Sequence, residues 1–376
     1  MKILFPLLAY YPSQVGGPAN TVYWLVKELS KKNKVTVVTT NLGINKNVTD
    51  TNRSINSEYG TVYYGEKTLF DFLTIIKAVK EVKNNDIIHI NGLFDVIGII
   101  PLFFGLIFYP SKSYVCSVRG GLSKSALEYS SLRKKILLYI FMYFKKNIHF
   151  HATSLIEEQQ IKNHFSTDKI FMIPNYISPE KRYENKIDKK QFIFLGRIHP
   201  IKCIENIIGA IIVSKSFIKN NFSLIIVGTH EKRFIWYFER LKSIIQENNL
   251  EKYFKFMGHI EGHQKQILLA ESYALILSSS SENFGNVVLE ALNQGTPVIA
   301  SKGTPWSILE ETSCGFHVEN NTSDLSQAID KSINMNKVEY ENYSKNATNL
   351  INNNYDVKFK IYEWVNIYKE ILNKSF

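Results

Sequence analysis

The sequence predicts an α/β protein built from two doubly wound domains, and three observations support that prediction. Short apolar segments alternate with helix-length segments twice along the chain, once before residue 174 and again from residue 191. A charged stretch with few apolar residues, 175–190, separates the two alternations. At 376 residues the chain is long enough for two domains, each with its own core.

In the first half, segments rich in apolar and β-branched residues predict strands, and most segments between them have the length and periodicity of helices. The predicted strands are Ile3–Leu8, Lys34–Thr40, Thr61–Tyr64, Asp86–Asn91, Tyr114–Val118 and Ile148–Thr153. Strands that alternate with helices form a parallel sheet covered on both faces. We assign residues 1–174 to this first domain and residues 175–190 to a linker.

The same alternation resumes in the second half. The predicted strands there are Gln191–Leu195, Ser223–Val227, Tyr253–Met257, Tyr273–Leu277 and Thr296–Ala300. From Ser323 the chain is polar, rich in asparagine and helical in pattern, and it ends in an amphipathic segment near residues 358–372. We assign residues 191–355 to the second domain and treat residues 356–376 as a separate C-terminal helix.

Composition and charge exclude several classes of protein. The net charge of +11 predicts an anionic partner, which could be nucleic acid, anionic lipid or a phosphate-bearing substrate. Nucleic acid is not expected, because no nucleic-acid-binding pattern is present. Cys116, Cys203 and Cys314 are scattered, which indicates neither a disulfide framework nor a zinc site. The start of the chain lacks a signal-peptide pattern, so we expect a cytoplasmic protein.

Two apolar segments raise the question of a membrane. The run 96–109 is shorter than the roughly 20 residues that a span needs, and Pro101 interrupts it. It predicts a buried helix, with partial insertion at a membrane interface as the alternative. Residues 131–146 predict a helix with an apolar centre and cations at both ends. That pattern is typical of interfacial helices, although a core helix with solvated ends also fits.

The most informative stretch is 281–300, in which seven residues separate Glu282 from Glu290. Gly285 and Asn286 favour a turn followed by the start of a helix. Glu282 then lies in the loop before this helix, and Glu290 lies in its second turn. The first amides of a helix bind anions such as phosphate. Carboxylates on either side of a phosphate site suit a sugar nucleotide, which has hydroxyls at both ends.

A second cluster of candidate residues lies near the start of the second domain. Gly196 and Arg197 follow the predicted strand Gln191–Leu195, and Lys202 follows five residues after Arg197. Open α/β sheets bind ligands at the carboxyl ends of their strands. Two permanent cations at that edge are suited to hold a diphosphate, with Arg197 offering a planar fork and Lys202 a point charge.

The first domain offers weaker candidates at the corresponding edge of its own sheet. Gly16 and Gly17 lie between the first strand and the first helix, where paired glycines let backbone amides approach an anion, although a simple tight turn also fits. Arg119 follows another strand and is assigned either to the donor or to a phosphate on the acceptor. No Asp-x-Asp pair occurs, so no metal or other cofactor is expected.

The stretch around Glu282 and Glu290 resembles the Glu-x7-Glu signature of retaining family-4 glycosyltransferases, which have the GT-B fold. Residues 194–202 resemble that family's strand-Gly-Arg-loop-Lys element, although the family usually has glycine where Cys203 follows the lysine. The resemblance covers roughly the whole chain and is strongest in residues 191–318. It implies two Rossmann-like domains that face each other across a cleft, with the acceptor on the first and the nucleotide sugar on the second.

The resemblance also implies roles for individual residues. Glu290 would hold the ribose hydroxyls and Glu282 would contact the donor sugar, while Arg197 and Lys202 would bind the diphosphate. The remaining residues of the implied donor site, partly through their backbone amides, are Gly196, Asn283, Phe284, Gly285, Asn286 and Val287. The last helix of the family returns to the first domain.

The function implied is retaining transfer of a sugar from a nucleotide diphosphate sugar, with a UDP-sugar favoured over a GDP-sugar. Thr304-Pro305-Trp306 and Cys314-Gly315 resemble enzymes of bacterial surface-polysaccharide or O-antigen (lipopolysaccharide) assembly, whose acceptors are lipid-linked saccharides. An anionic membrane surface, at the inner face of the plasma membrane, is therefore an expected partner. The alternatives are a nucleotide-sugar epimerase, a sugar phosphorylase, and a saccharide- or lipid-binding protein without catalysis.

Overall fold

The computed structural model describes residues 1–13, 17–44, 50–67, 71–128, 132–179, 181–183 and 190–373. The chain divides into two compact units. Unit 1 comprises Met1–Ser178 and Val357–Phe376, and unit 2 comprises Pro179–Asp356. The first boundary therefore falls inside the stretch 175–190 that the sequence assigns to a linker. The second falls one residue after the start of the predicted C-terminal helix.

Unit 1 contains an eight-stranded sheet with the order β3-β4-β2-β1-β5-β6-β7-β8. Its strands are β1 (Lys2–Leu7), β2 (Lys34–Thr39), β3 (Ser54–Ser57), β4 (Gly60–Tyr64), β5 (Ile87–Asn91), β6 (Ser113–Ser117), β7 (Ile148–Ala152) and β8 (Ile170–Met172). All neighbours are parallel except β3 and β4. The six predicted strands are found with ends shifted by at most one residue. The sequence missed β3 and β8, which are short and lie at the two edges.

Three of the helices of unit 1 start after an aspartate or serine whose side chain accepts a hydrogen bond from an amide of the first turn. They are α1 (Gly17–Ser30), α2 (Phe72–Val82), α3 (Val96–Phe108), α4 (Lys124–Glu128), α5 (Leu132–Phe144) and α6 (Leu155–Phe165). The Asp71 carboxylate accepts the amide of Leu73 at 3.1 Å at the start of α2, and Asp95 accepts that of Ile97 at 2.9 Å at the start of α3. These caps fix where helices leave the carboxyl edge of the sheet.

Helix α3 contains the apolar run that the sequence predicts as a buried helix. Seven of its residues are buried, including Pro101, while Ile107 and Phe108 near its end are exposed. Within the part of the chain that the structure describes, no helix combines the length and the apolar character needed to cross a membrane.

Unit 2 contains a six-stranded, wholly parallel sheet with the order β11-β10-β9-β12-β13-β14. Its strands are β9 (Gln191–Leu195), β10 (Ser223–Val227), β11 (Phe254–Gly258), β12 (Ala274–Leu277), β13 (Val298–Ser301) and β14 (Gly315–Val318). Its helices are α7 (Ile204–Val213), α8 (Ile235–Glu247), α9 (Gly262–Ala270), α10 (Asn286–Asn293), α11 (Ile308–Glu311), α12 (Thr322–Ile333) and α13 (Lys337–Leu350). The predicted strands β9 and β10 match to the residue, and β14 was missed.

Helix α14 (Val357–Asn373) belongs to unit 1 although it follows unit 2 in the chain. Its buried residues Val357, Trp364, Tyr368 and Ile371 join the same apolar core as β1, β2 and α1. The helix therefore supplies part of the core that the first 178 residues need.

A chain of hydrogen bonds links α14 to the sheet of unit 1 and fixes two histidine tautomers. His151 Nε2 donates to the carbonyl of Ile173 at 2.8 Å, so its Nδ1 accepts from Ser117 Oγ at 2.7 Å. Ser117 Oγ then accepts from His89 Nε2 at 2.7 Å, and His89 Nδ1 accepts from Tyr368 Oη at 2.7 Å. Burial lowers the pKa of both histidines well below the usual value, so both are neutral.

We expect this buried pair to make unit 1 sensitive to acid. Unfolded histidine binds a proton as the pH falls through about 6.5, whereas folded His89 and His151 do not. The contribution of the two histidines to the free energy of unfolding is therefore fully present above that pH. It decreases below that pH, by about 1.4 kcal/mol per histidine for each pH unit. Burial raises the pKa of Asp95 to about 6, and protonation of its carboxyl offsets part of the loss between pH 6 and 4.

Urea unfolding between pH 8 and 5 measures this dependence. The control is His89→Gln, because glutamine can still accept from Tyr368 and donate to Ser117 but does not titrate. The variant should lose less stability with acid than the wild type, by about 1.4 kcal/mol for each pH unit below about 6.5. Equal slopes in the two proteins would contradict the assignment.

Candidate functional site

The carboxyl edge of the unit 2 sheet has one topological switch point. The chain builds β9, β10 and β11 in one direction and then returns to place β12, β13 and β14 on the other side of β9. Strands β9 and β12 are neighbours in the sheet, and the loops that follow them therefore run in opposite directions. Open α/β sheets bind ligands in the crevice that such a reversal creates. Both clusters of candidate residues lie in these two loops.

The loop after β9 carries Gly196, Arg197 and Lys202. A single 3₁₀ turn, Pro200–Lys202, brings Lys202 back towards the sheet, and the His199 imidazole caps it by accepting the amide of Ile201 at 3.1 Å. Cys203 then adopts φ 47°, in the left-handed region that glycine enters without strain. This explains why a glycine suits this position.

Lys202 and Glu282 form an ion pair that joins the two loops of the switch point. Their side chains are only 15% and 16% exposed. Ser279 Oγ also donates to Glu282 Oε1 at 2.9 Å, so one carboxylate oxygen receives both contacts. The sequence predicts both residues in the site but not their contact. A pair with so little exposure is held in place, unlike the mobile pairs of a protein surface.

Backbone contacts hold the same two loops together around this pair. Ser278 Oγ donates to the carbonyl of Lys202 at 2.7 Å. The amide of Ser280 donates to the carbonyl of Ile201 at 2.9 Å. On the other side, the amide of Glu282 donates to the carbonyl of Gly303 at 3.0 Å. A Cβ on Gly303 would lie 2.4 Å from the carbonyl oxygen of Ser279, so only glycine fits there.

Arg197 differs from Lys202 in its surroundings. Its side chain is 70% exposed and contacts Glu231 at 3.3 Å, while Arg233 contacts the same carboxylate at 2.8 Å. Ion pairs this exposed contribute little to stability, so the Arg197 guanidinium can change partners at little cost. The structure therefore provides one fixed cation and one movable cation on the loop after β9.

The loop after β12 leads into α10 through residues 283–287. Gly285 has φ 80°, and a Cβ there would lie 3.0 Å from the Leu277 side chain. Phe284 is buried, with its ring 5.0 Å from that of Trp306, and the Trp306 indole donates to the carbonyl of Phe284. Only the backbone of Phe284 can therefore meet a ligand. The buried Trp306 fixes the path along which the chain enters α10.

The first amides of α10 have no acceptors within the helix itself, because the four residues that would supply them precede it. Asn286 and Val287 are its first two residues, and Asn283 lies in the turn before it. Glu282 sits on one side of this helix end and Glu290 lies one turn into the helix, as the sequence predicts. The arrangement offers positive potential between two carboxylates.

Glu290 also has a lysine partner. Lys265 Nζ, in the first turn of α9, lies 2.9 Å from Glu290 Oε1, and the two side chains are 13% and 14% exposed. Sequence reasoning missed Lys265, since 25 positions separate it from Glu290 and the register of α9 decides where it points. Each carboxylate of the site is thus matched by one lysine.

The candidate residues in unit 1 are placed less favourably for contact with a ligand. Gly16 lies outside the described residues, and Gly17 is the first residue of α1. The Arg119 guanidinium donates to Asn91 at 3.1 Å and to Asn175 at 2.6 Å, and its Nη2 atom is buried. Burial lowers the pKa of this guanidinium. The Arg119 residue is half-buried and its side chain bonds to two asparagines of unit 1, so its assignment to the donor or the acceptor stays a prediction.

Among the described residues, no group of three or more histidine, cysteine, aspartate or glutamate side chains could hold a metal ion. His89, which lies in β5, is fully occupied by Tyr368 and Ser117.

Comparison with known proteins shows the fold of the chain and a family to which its second half is similar. Residues 177–350, which nearly coincide with unit 2, match the family described as "Glycosyl transferases group 1". The crystal structure of Anabaena HepE in complex with UDP is similar over 98% of this chain and 100% of that one, with a TM-score of 0.75 and 18% identity. The same Anabaena protein in complex with UDP-glucose gives a TM-score of 0.76. The fold is therefore GT-B, and unit 2 is similar in sequence to the group 1 glycosyltransferases.

Two curated relatives show how far the similarity extends along the chain. An O-antigen biosynthesis glycosyltransferase of Escherichia coli is 27% identical over 319 residues, which cover 82% of this chain and 83% of the relative. An uncharacterized glycosyltransferase of Methanocaldococcus jannaschii is 26% identical over 235 residues, 57% of this chain. The match covers only about half of that archaeal relative's own length, 56%.

Proposed function

We propose that the protein is a retaining glycosyltransferase of family 4 that moves a sugar from a nucleoside diphosphate to a hydroxyl of a saccharide. The observation that carries the proposal is the meeting of Lys202, Glu282 and the start of α10 at the switch point of unit 2. A cation beside a helix N-terminus favours a diphosphate, and an adjacent carboxylate suits sugar hydroxyls. The names of the matched relatives favour transfer over the epimerase, phosphorylase and binding-protein alternatives.

Each part of the donor has a counterpart in this arrangement. Lys202, Arg197 and the amides of residues 283–287 bind the diphosphate, with Gly196 packed beside the Lys202 side chain. Glu282 contacts the sugar and Glu290 the ribose. A UDP-sugar is the favoured donor and a GDP-sugar the second choice. The solved complexes of Anabaena HepE with UDP and UDP-glucose support that preference.

The proposed chemistry needs no nucleophile from the protein. The bond between the anomeric carbon and the diphosphate oxygen breaks, and the acceptor oxygen attacks the same face of the sugar. The departing diphosphate oxygen takes the proton of the acceptor hydroxyl. Negative charge grows on the diphosphate during this step, so Lys202, Arg197 and the α10 amides stabilise the transition state more than the ground state.

We expect transfer to continue in the presence of EDTA. Lys202, Arg197 and the α10 amides supply positive charge where the diphosphate leaves, so an added cation is not required. The measurement is the initial rate of transfer with chelator and after manganese or magnesium is added back. Complete loss with EDTA, restored by either metal, would show that these groups are insufficient.

The function itself is tested with a panel of nucleotide sugars, scored by thermal shift and by release of the nucleoside diphosphate. We expect one UDP-sugar, or failing that a GDP-sugar, to stabilise the protein and to be hydrolysed slowly without acceptor. Product analysis by NMR then distinguishes retention from inversion at the anomeric carbon. Saccharide binding without any response to nucleotides would favour the binding-protein alternative.

We further propose that the acceptor is a lipid-linked saccharide of surface-polysaccharide assembly and that unit 1 meets an anionic membrane through α5. Phe141 is the buried residue of this helix, whereas Leu132, Ile136, Tyr139 and Tyr143 are each at least 51% exposed. These four recur at helical spacing and form one apolar stripe. A stripe of this kind with cations beside it is typical of interfacial helices, and the E. coli O-antigen relative supports the acceptor class.

Three exposed cations accompany the stripe: Arg133, Lys135 and Lys146. The remaining two have partners within the protein, since Lys134 donates to the carbonyl of Ala126 at 2.9 Å and Lys145 contacts that of Ser166 at 3.4 Å. Each exposed cation near an anionic leaflet contributes about 1 kcal/mol, and salt screens that attraction.

Replacing Arg133, Lys135 and Lys146 with glutamine should release the protein from anionic liposomes and slow transfer to a lipid-linked acceptor. Hydrolysis of the donor should be unchanged, because the proposed donor residues lie in unit 2. The matched control replaces three exposed lysines of unit 2, Lys219, Lys255 and Lys302, and changes the net charge equally. Co-sedimentation at low and high salt, with neutral liposomes alongside, measures binding. A wild type that ignores anionic liposomes at low salt would refute the membrane proposal.

A further inference from the structure

The pairing of Glu290 with Lys265 has a consequence for how the site selects its nucleotide. The ammonium group lies 2.9 Å from Glu290 Oε1. Lys265 is the one hydrogen-bond partner that the described residues give this carboxylate, so Oε2 is left to accept from a ligand. With 14% of its side chain exposed, Glu290 can still be reached from solvent.

We propose that Lys265 is a positioning residue for recognition of the donor ribose. By holding Oε1, it fixes the carboxylate so that Oε2 accepts a hydrogen bond from a ribose hydroxyl. The inference rests on the proposed function, because it takes the nucleotide site as given. Nothing in the signature that joins Glu282 to Glu290 includes this lysine, which reaches the site from a different helix.

Charge supports the same role. Glu290 and Glu282 flank the proposed diphosphate site, and two unpaired carboxylates there would repel the diphosphate. Lys265 balances Glu290 as Lys202 balances Glu282. Without Lys265, the Glu290 carboxylate would have no cation beside it in a site with little access to water, which costs more than the loss of a partner on an open surface.

A purely structural role is the alternative. Helix α9 is also joined to the residue that follows α10, since the side chains of Gln266 and Gln294 meet at 3.0 Å. Lys265 could simply add a second link between these helices. A link of that kind contributes to stability but does not distinguish one nucleotide from another, so selectivity for the ribose hydroxyl separates the two roles.

The experiment compares the affinities of the full-length protein for UDP and 2′-deoxy-UDP by calorimetry, with GDP and 2′-deoxy-GDP in parallel. A hydrogen bond to a charged group should make the wild type prefer the ribonucleotide about tenfold or more. In Lys265→Met, affinity for the ribonucleotide should fall about tenfold and the preference should shrink towards one. Lys265→Arg should restore part of the preference. Lys302→Met is the matched control, since it breaks the exposed pair with Glu319 at 2.8 Å.

The outcomes are distinguishable. A Lys265→Met variant that melts earlier but keeps the wild-type preference would reduce Lys265 to a structural link and overturn the inference. Equal binding of the two nucleotides by the wild type would also overturn it, while leaving the proposed function intact. A wild type that binds neither UDP nor GDP would instead remove the proposed function. Lys265→Gln replaces the methionine variant if that protein fails to fold.

Discussion

Replacing Lys202 with alanine is expected to lower the rate of sugar transfer at saturating donor by about 100-fold or more, the usual effect of losing one group that stabilises developing negative charge. Lys202 is fixed at the switch point by its contact with Glu282. The variant would also leave Glu282 without its cation, at a position where only 16% of the side chain meets solvent. Arg197→Ala should act in the same direction.

The measurement is kcat with the nucleotide sugar identified by the panel. Lys302→Ala serves as control, because it removes an equal charge from an exposed pair in the same unit. Thermal melting of each variant separates loss of catalysis from loss of folding. Turnover near the wild-type rate in both Lys202→Ala and Arg197→Ala would show that the diphosphate binds elsewhere.

The second large effect is expected from Glu282→Gln, which should reduce transfer by about 100-fold while UDP binds at least as tightly as before. Glutamine keeps the shape of the side chain but not its charge. Lys202 then has no anionic competitor for the diphosphate, so affinity for bare UDP should rise rather than fall. The sugar, in contrast, loses a charged acceptor for its hydroxyls.

Glu290→Gln provides the comparison, because Glu290 is assigned to the ribose and should mainly weaken nucleotide binding. Calorimetry with UDP, together with transfer rates for both variants, tests the contrast. Equal loss of UDP affinity in the two variants would mean that the two ends of the donor have been assigned to the wrong carboxylates.

Most of the strands could be predicted because the strands of a parallel sheet are buried on both faces and therefore form continuous apolar runs. Strand β9 is an example: its three central residues are buried, its two end residues are partly buried, and its predicted ends were correct. Strands β3, β8 and β14 were missed for a physical reason as well. They have three or four residues each, β3 is polar, and their pairing depends on a neighbour at or near the sheet edge.

The site was predictable where it depends on the backbone and not where it depends on side-chain direction. Gly285 and Asn286 marked the start of α10 through their turn preferences, and the structure places the helix there. No sequence pattern indicates that Lys202 meets Glu282, since that contact depends on the strand order at the switch point. Arg119 has φ 53°, and its side chain is turned into unit 1. No local pattern predicts that direction.

The return of α14 to unit 1 has a consequence for how the protein is made. Unit 2 is continuous in the chain and has all of its residues once Asp356 has been synthesised. The core of unit 1 is complete only after Trp364 and Tyr368 have been synthesised, and so is the hydrogen bond from Tyr368 to His89. Domains usually fold in the order in which they leave the ribosome. Here the part translated first is completed last, so a nascent chain carries an incomplete unit 1 core until α14 emerges.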